Sequence, residues 1–313
     1  MATDQTTPAA DQGDRRPRGR KAIARARRRA AFARGWRQFR THRGGMTGIV
    51  ILAFFGLLAL LAPVLFPAET ISVTRATGGV LDPPSGEFWL GTDESGRSIL
   101  ALLAWGGRVS LVVGIAATVI SMVIGTTVGI AAGHYRGYGG AALERLTDWF
   151  LVIPFLPLAI VLATVLGGGS LLTIIIVIGV TSWAGTARLI RAQTLSVEGR
   201  PYLERSRALG AGNWHQMTRH VLPNVFPLVL ANTTLTVAIA ILSETTLSFL
   251  GLGDPLRPSW GAILDYAFSN GAVSAGAWWY IVPPGLCVVL VVLSFTLIGR
   301  ALEEIVNPRL GGR

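Results

Sequence analysis

Lysine and cysteine are almost absent from this chain of 313 residues: Lys21 stands against 27 arginines, and Cys287 is the only cysteine. A phosphate-binding loop of the Gly-x-x-x-x-Gly-Lys-Ser/Thr type needs a lysine, and the residues around Lys21 do not fit that pattern. We therefore expect no ATP site in this chain. A lone cysteine excludes an internal disulfide framework, and Cys287, inside an apolar run, is expected to be buried.

Residue sets that carry catalysis or bind metals are also scarce. The histidines His42, His134, His215 and His220 lack the spacing of metal ligands, and no apolar run holds a Ser/His/Asp set or paired carboxylates. We expect all four to be solvated loop residues, with His215 and His220, five positions apart, on different helix faces. The sequence thus predicts neither an enzyme nor a site for a metal or cofactor.

Charged residues make up only 14% of the chain, whereas 51% of the residues are hydrophobic and the mean hydropathy is +0.52. Several apolar runs exceed about 17 residues, the length that begins to span a bilayer. We predict an all-α integral membrane protein with six transmembrane helices. They are expected at about residues 45–66, 108–132, 147–166, 171–190, 225–250 and 279–300. The first run starts too late and is too long for a cleavable signal peptide.

Both termini are predicted to face the cytoplasm. In that orientation 24 of the 28 Lys and Arg residues lie in inner segments and 4 in outer ones, as the positive-inside rule requires. The first 43 residues hold 13 of them against three aspartates, which accounts for most of the net charge of +11. We expect no nucleic-acid partner. This tail is either a disordered, lipid-associated segment or a basic helix over Ala24–Arg40 that touches a partner subunit.

The chain divides into four expected parts. A basic tail (1–35) precedes the first span with its external loop (36–105). A core of five spans follows (106–305) and carries a cytoplasmic loop at 193–224. A short cytoplasmic tail (306–313) ends the sequence.

The most informative segment of that cytoplasmic loop is a polar, arginine-rich island at residues 198–224, between two apolar runs. Pro201 suits the first position of a helix, because its missing N–H would be unpaired there in any case. A short helix is predicted over Leu203–Leu209. Gly210 can end it in the left-handed conformation that glycine adopts without strain.

A second short helix is expected after this break. Asn213 is its predicted N-cap and Gln216 the capping-box partner three positions on, while Leu222-Pro223 is expected to stop it. The island therefore looks like a rigid helix–turn–helix rather than a free loop.

An apolar stripe of Trp214, Met217 and Val221 recurs at helical spacing along the second helix. It either fits a groove on a partner subunit or packs on the inner helix ends of this chain. The two alternatives are compatible if different faces are used.

Small residues and prolines interrupt the apolar runs. Gly125, Gly129 and Gly133 recur every four residues in span two and predict close packing against another helix. Pro154 and Pro157 are expected to kink span three, because proline cannot complete the helical hydrogen bonding.

Two polar features lie inside span five. Asn232, Thr233, Thr234 and Thr236 form a patch that either lines a water-filled path or hydrogen-bonds between helices. Glu244, about two turns from the outer end, is an intramembrane carboxylate and hence a candidate functional group. The alternative is a group that is solvated at the interface or bonded within the helix bundle.

Two outer segments, residues 67–107 and 251–278, are long enough to fold. In the first, Thr92 or Asp93 is expected to cap a short helix running toward Trp105. The second holds a predicted amphipathic turn at Ile263–Phe268 and three tryptophans suited to a membrane interface, Trp260, Trp278 and Trp279. These segments either anchor the protein at the interface or form a landing surface for an external protein.

The island resembles the cytoplasmic "EAA" loop of permease subunits in bacterial ATP-binding-cassette importers. That loop has Glu-Ala-Ala, three residues, Gly, about nine residues and Ile-x-Leu-Pro. Glu204, Gly210 and Leu222-Pro223 match it, whereas Arg205 and Ser206 replace the alanines and His220 replaces the isoleucine.

Five further segments are similar to the "C" permeases of the dipeptide/oligopeptide/nickel branch, over about residues 36–309. They are Leu90-Gly-Thr-Asp-x-x-Gly-Arg97, Gly107-Arg-Val-Ser-Leu111, Tyr202-Leu-Glu…Arg207-Ala-Leu-Gly-Ala211, His220-Val-Leu-Pro-Asn224 and Leu242-Ser-Glu-x-x-Leu-Ser-Phe-Leu-Gly-Leu-Gly253.

This resemblance implies the fold of type I importer permeases and a multi-pass place in the bacterial plasma membrane. It implies a homologous second permease as heterodimer partner, two ATP-binding subunits below, and a substrate-binding protein outside. The implied cargo is a di- or oligopeptide. Nickel chelates or oligosaccharides remain alternatives, as does a stand-alone ion-coupled carrier or channel.

The resemblance and the residue chemistry together select three groups of candidate site residues. The ATPase-coupling group comprises Glu204, Arg207, Ala208, Gly210, Trp214, Met217, Leu222 and Pro223. The external contact group comprises Gly91, Thr92, Asp93, Gly96, Arg97 and Trp260. The pathway or gate group comprises Glu244, Asn232 and Thr236.

Overall fold

The computed structural model describes residue 33 and residues 35–306, and regular secondary structure in this part of the chain is helical. The described residues therefore exclude nearly all of the predicted tails 1–35 and 306–313 and most of the helix expected over Ala24–Arg40. The helices are α1 (Arg43–Leu65), α2 (Ile99–His134), α3 (Tyr138–Val152), α4 (Phe155–Val165), α5 (Leu171–Thr181), α6 (Trp183–Glu198), α7 (Pro201–Ala208), α8 (Asn213–Leu252), α9 (Trp260–Ser269) and α10 (Trp278–Val306).

Five helical stretches in the described part are long and apolar enough to cross a membrane. They are α1, α2, α5 with α6, α8 and α10. The pair α3 and α4 forms a sixth candidate, bent by 92° at its break. The prediction of an all-α membrane protein is confirmed, and the predicted number of six spans is reached when α3 and α4 count together as one span. The kink expected in span three lies where Ile153 adopts an extended conformation just before Pro154.

The second and fourth spans are each longer than predicted at one end. The second span begins at Ile99 rather than near residue 108. The prediction of a separate short helix before Trp105 is therefore wrong. Ser98 holds the N-cap position, because the side chains of Thr92 and Asp93 bond within the preceding loop. The fourth continues through α6 to Glu198 rather than ending near residue 190.

The glycine repeat of α2 packs directly against α6, as predicted. A Cβ on Gly129 would lie 2.6 Å from the carbonyl oxygen of Ala187 and 2.9 Å from Cβ of Ile190. A Cβ on Gly125 would come similarly close to Thr186 of α6, and a Cβ on Gly133 to Thr194. Such approach of two backbones is possible only with small residues. The two helices therefore form one closely packed unit that ends at the polar island.

The helix α8 does not stop at Pro223, which corrects the sequence expectation. It runs for 40 residues from Asn213 to Leu252 and includes a π-helical turn at Met217–Val221. The wider turn ends at Val221, two residues before Pro223, and absorbs the register change that the missing N–H of the proline imposes. The side-chain amide of Asn224 donates to the carbonyl of His220 at 2.7 Å. The island and span five are consequently one continuous element.

Candidate functional site

The island predicted to be cytoplasmic forms a turn, here called the cytoplasmic turn, which consists of α7, the link Leu209–Gly212 and the first turns of α8. Pro201 opens α7 as expected, and Gly210 follows its end with φ +81°. The N–H of Ala211 bonds to the carbonyl of Ser206, and that of Gly210 bonds to the carbonyl of Arg207. This pair of bonds is a Schellman cap, which requires a left-handed residue where glycine stands.

Glu198, at the end of α6, ties this turn to the membrane helices. Its side chain is only 8% exposed and accepts a hydrogen bond from the guanidinium of Arg207. Its other oxygen lies 2.6 Å from Nδ1 of His134, the last residue of α2. His134 is thus buried rather than solvated, which corrects the expectation for this histidine. One carboxylate joins α2, α6 and α7.

Gln216 completes the same network but does not form the predicted capping box. Its amide donates to the carbonyl of Ala211 at 2.6 Å and its oxygen accepts from Nε of Arg207 at 3.1 Å. Gly212 holds the N-cap position, and Asn213 is already helical with its side-chain oxygen 3.3 Å from Nε2 of His134. The polar side chains of the turn therefore bond to one another rather than to the first N–H groups of α8.

The π-helical turn also changes how two histidines are arranged. His215 and His220 lie with ring centroids 5.7 Å apart, so the expectation that they face apart is wrong. Residues five apart align in a π-helical turn, whereas they diverge in an α-helix. His220 further approaches the hydroxyl of Ser206 at 3.4 Å. His220 consequently helps to hold α7 against α8, and the ring of His215 packs against it.

The apolar stripe is split between interior and surface. Val221 is fully buried and Met217 packs against the same inner cluster, which includes Leu203 of α7. Trp214 is 75% exposed and Leu209 is 88% exposed. Glu204, Ala208, Gly210 and Pro223 are exposed as well, whereas Leu222 is half-buried. The turn therefore packs on its own helix ends with one face and leaves a second, partly apolar face open.

The outer segment before α2 is held together by hydrogen bonds among its own residues. The hydroxyl of Thr92 donates to the carbonyl of Gly79 and accepts from the N–H of Asp82. The buried carboxylate of Asp93 accepts from the backbone and side chain of Arg97, at 2.7 and 2.6 Å. Gly91 and Gly96 are buried with positive φ. Four of the five external candidates in this segment are thus interior, and Arg97 is mostly covered.

Trp260 is also interior, which corrects its selection as an external contact. It is 1% exposed, its indole N–H donates to the carbonyl of Leu103 at 3.0 Å, and its ring packs edge-on against Phe55. It begins α9, the amphipathic helix predicted over Ile263–Phe268, and Ser259 caps that helix. Trp278, by contrast, is 56% exposed and suits the membrane interface as expected.

Glu244 joins three elements at the outer end of α8. It is 1% exposed and accepts hydrogen bonds from the hydroxyls of Ser110 in α2 and Ser248 in its own helix, at 2.9 and 2.8 Å. The same Ser110 oxygen accepts from the backbone N–H of Trp260 at 3.3 Å. The carboxylate is therefore bonded within the bundle rather than solvated at the interface, and it links α8 to α2 and α9.

The polar patch of α8 bonds mainly within the bundle. The amide of Asn232 donates to the hydroxyl of Thr186 in α6 at 3.1 Å. The hydroxyls of Thr233, Thr234 and Thr236 donate to carbonyls of their own helix. Asn232 and Thr236 remain half-buried. The patch thus fastens α8 to α6 near the middle of the span.

Sequence reasoning missed two residues of this site, Glu198 and His134. Both stand where an apolar run meets a polar segment, and His134 directly follows the glycine repeat that fixes α2 on α6. The position of both residues where an apolar run meets a polar segment was the sequence feature that could have indicated their role. Within the described residues, no group of three or more His, Cys, Asp or Glu side chains is arranged to hold a metal ion.

Comparison with known proteins gives two family matches. Residues 125–312 match the family described as the inner membrane component of binding-protein-dependent transport systems. Residues 31–84 match the N-terminal transmembrane domain of oligopeptide transport permease C. Together these matches cover most of the chain.

Individual relatives are similar over nearly their whole lengths. The dipeptide transport system permease protein DppC of Bacillus subtilis is 33% identical over 276 residues, 88% of this chain and 85% of that protein. The di/tripeptide transport system permease protein DppC of Pseudomonas aeruginosa is 35% identical over 282 residues, 88% and 91% respectively. The oligopeptide transport system permease protein OppC of Bacillus subtilis is 33% identical over 275 residues, which are 87% of this chain and 88% of that protein.

Proposed function

The chain belongs to the inner-membrane permeases of binding-protein-dependent transport systems, and from this premise we propose that it forms half of an ATP-driven import pathway for peptides. The relatives named for dipeptide, di/tripeptide and oligopeptide transport support peptides as the cargo. A homologous second permease forms the other half of the pathway. Two ATP-binding subunits dock from the cytoplasm, and an external binding protein delivers the peptide.

The observation that carries this proposal is the cytoplasmic turn with its two faces. One face is fixed to the ends of α2 and α6 through Glu198, and the other exposes Leu209 and Trp214. An apolar side chain covered by a partner contributes about 1.5–3 kcal/mol. The open face is therefore suited to hold an ATP-binding subunit, while the fixed face transmits its movement.

Force applied at the turn has a continuous route across the membrane. The helix α8 begins in the turn and reaches Glu244 without interruption, a path of about 45 Å at the usual helical rise. At its outer end the Glu244 carboxylate holds α2 and, through Ser110, the start of α9. We assign Glu244 to the outer gate: movement of α8 would pull on the elements that close the pathway.

A transport assay with purified components tests the proposal. The tagged chain is purified from its native membrane with whatever subunits accompany it, and placed in liposomes with the external binding protein. We expect ATP-binding subunits to co-purify and labelled peptide to enter only when ATP is present on the cytoplasmic side. Uptake driven by an ion gradient through this chain alone would contradict the proposal.

A further inference from the structure

The short helical segment before α1 encloses an apolar groove at the inner end of the bundle. Residues 35–41 are helical, and His42 breaks the chain into an extended conformation before α1 starts. Nδ1 of His42 accepts from the N–H of Gly45, and Nε2 lies 3.0 Å from Glu304 near the end of α10. The segment is thus held in place at the point where α1 and α10 meet.

Packing fixes this segment as firmly as the polar contacts do. Phe39 is 5% exposed, and a Cβ on Gly45 would lie 2.8 Å from both its ring and Cβ of Ala301. The ring of Trp36 stacks parallel to that of Phe39, with centroids 6.0 Å apart. The segment is therefore an ordered part of the inner surface.

The space beneath it, here called the inner groove, has a volume of about 370 Å³. It is lined by Trp36, Phe39, Ile49, Ile298, Leu302 and Ile305, with Gly35 at its edge. Ile49 and Ile298 lie within the spanning helices α1 and α10, whereas Ile305 lies at the end of α10. The inner groove therefore extends from Ile49 in α1 to the end of α10, along helices apolar enough to span a bilayer, where lipid chains are the available apolar ligand.

Positive charge is concentrated on and next to the helical segment that borders the inner groove. Arg37, Arg40 and Arg43 follow one another at intervals of three residues and are all exposed. They belong to the first 43 residues, which carry 13 of the 28 Lys and Arg side chains. Basic side chains near an inner membrane surface attract anionic headgroups, and the attraction adds up over neighbouring residues.

We propose that the inner groove binds one acyl chain of an anionic phospholipid whose phosphate is held by Arg37 and Arg40. The apolar lining accepts the chain, and the guanidinium groups supply donors that match a phosphate. Such a lipid bridges α1, α10 and the preceding segment. This site is independent of the cargo and of the proposed coupling to ATP.

Counting bound lipids on the purified complex tests the site. The complex is prepared in detergent with phosphatidylglycerol and phosphatidylethanolamine in equal amounts, and retained lipids are identified by native mass spectrometry. We expect phosphatidylglycerol to be retained preferentially. Replacing Arg37→Gln and Arg40→Gln together should weaken its retention roughly 30-fold, about five- to sixfold for each arginine. Arg108→Gln with Arg257→Gln removes the same charge from the outer side and should leave retention unchanged.

A second pair of variants tests the groove without altering charge. A Cβ on Gly35 meets no atom within 4 Å, and the same holds for Gly56 in the middle of α1. Gly35→Leu should fill the inner groove and displace the lipid, whereas Gly56→Leu adds the same side chain elsewhere and should not. Equal retention of both lipids, or equal retention in these two variants, would overturn the proposal. Displacement by millimolar glycerol 1-phosphate would also overturn it, because a free phosphate site needs no acyl chain.

Discussion

Arg207 of α7 donates a hydrogen bond to Glu198 at the end of α6, and the other oxygen of that carboxylate contacts His134 of α2. The short polar helix α7 is thereby joined to two candidate spans that are themselves packed through a glycine repeat. The cytoplasmic turn and these spans consequently move as one body, which is what transmission of force from a docked subunit requires.

Glu198→Gln should weaken this joint. The amide keeps the shape but removes the charge that Arg207 and His134 face, and buried charge-assisted hydrogen bonds contribute about 1.5–3 kcal/mol. We expect a lower melting temperature of the purified complex and slower ATP-dependent uptake of labelled peptide. Glu144→Gln is the matched control, because the Glu144 side chain is 42% exposed against 8% for Glu198, and exposed pairs contribute about 0–1 kcal/mol. If both variants behaved alike, Glu198 would not be the residue that couples the cytoplasmic turn to α2 and α6.

Gly210→Val should uncouple ATP hydrolysis from uptake while the chain still enters the membrane. Gly210 has φ +81°, a conformation that costs an L-residue about 1–2 kcal/mol and a β-branched one more. Gly212→Val is a close control, because a Cβ at either position meets no atom within 4 Å but Gly212 has φ −70°. The ratio of peptide taken up to ATP hydrolysed is the measurement. A normal ratio for Gly210→Val would show that the cap geometry is dispensable.

Gly129→Ala should destabilise the bundle. The added methyl group would collide with the carbonyl of Ala187, and forced overpacking costs about 1–3 kcal/mol. Gly185→Ala, in α6, meets open space and should be neutral or slightly stabilising, because alanine favours helix over glycine by about 0.5–1 kcal/mol. Melting temperatures of the two purified variants give the comparison. Equal stability would contradict the close contact of α2 with α6.

Trp260→Ala should destabilise the outer half of the protein rather than only remove a surface contact. The residue is buried, and truncating a buried tryptophan costs about 3–5 kcal/mol. Trp278→Ala removes a half-exposed ring and should cost much less. Expression level and melting temperature of both variants test this. Full stability of Trp260→Ala with loss of binding-protein association would instead restore its assignment as an external contact.

Glu244→Gln should slow uptake without changing the affinity of the external protein for its peptide. An amide can accept from only one of the two serines with its oxygen, so the link between α8 and α2 is weakened. Uptake at saturating peptide and basal ATP hydrolysis are measured together. Glu69→Gln, an exposed outer carboxylate, is the control. Kinetics equal to those of the control would make Glu244 a structural residue only.

Local features of this protein were predictable from the sequence, and features set by distant contacts were not. The left-handed conformation at Gly210 follows from residues within one turn, as does the kink at Pro154, and both were predicted. The pairing of His134 with Glu198 joins positions 64 residues apart, which no local pattern encodes. The same limit applies to Trp260, whose burial depends on Phe55 and Leu103.

The continuation of α8 through Pro223 shows a different limit. Proline normally ends or kinks a helix, so the sequence favoured a stop. A π-helical turn just before it removes the conflict and brings His215 beside His220. Neither the turn nor its consequence has a composition signal, because the same residues fit an α-helical register equally well.

Site-specific cross-linking at the cytoplasmic turn tests the central claim most directly. With Cys287→Ser as background, Leu209→Cys places a single thiol on the open face of the turn, and Val73→Cys places one on the exposed outer segment. In native membranes that import peptide, we predict that Leu209→Cys cross-links to an ATP-binding subunit and that the yield changes when ATP is trapped. Active import with no such cross-link, or with equal cross-linking from Val73→Cys, would contradict the assignment of this turn as the coupling site.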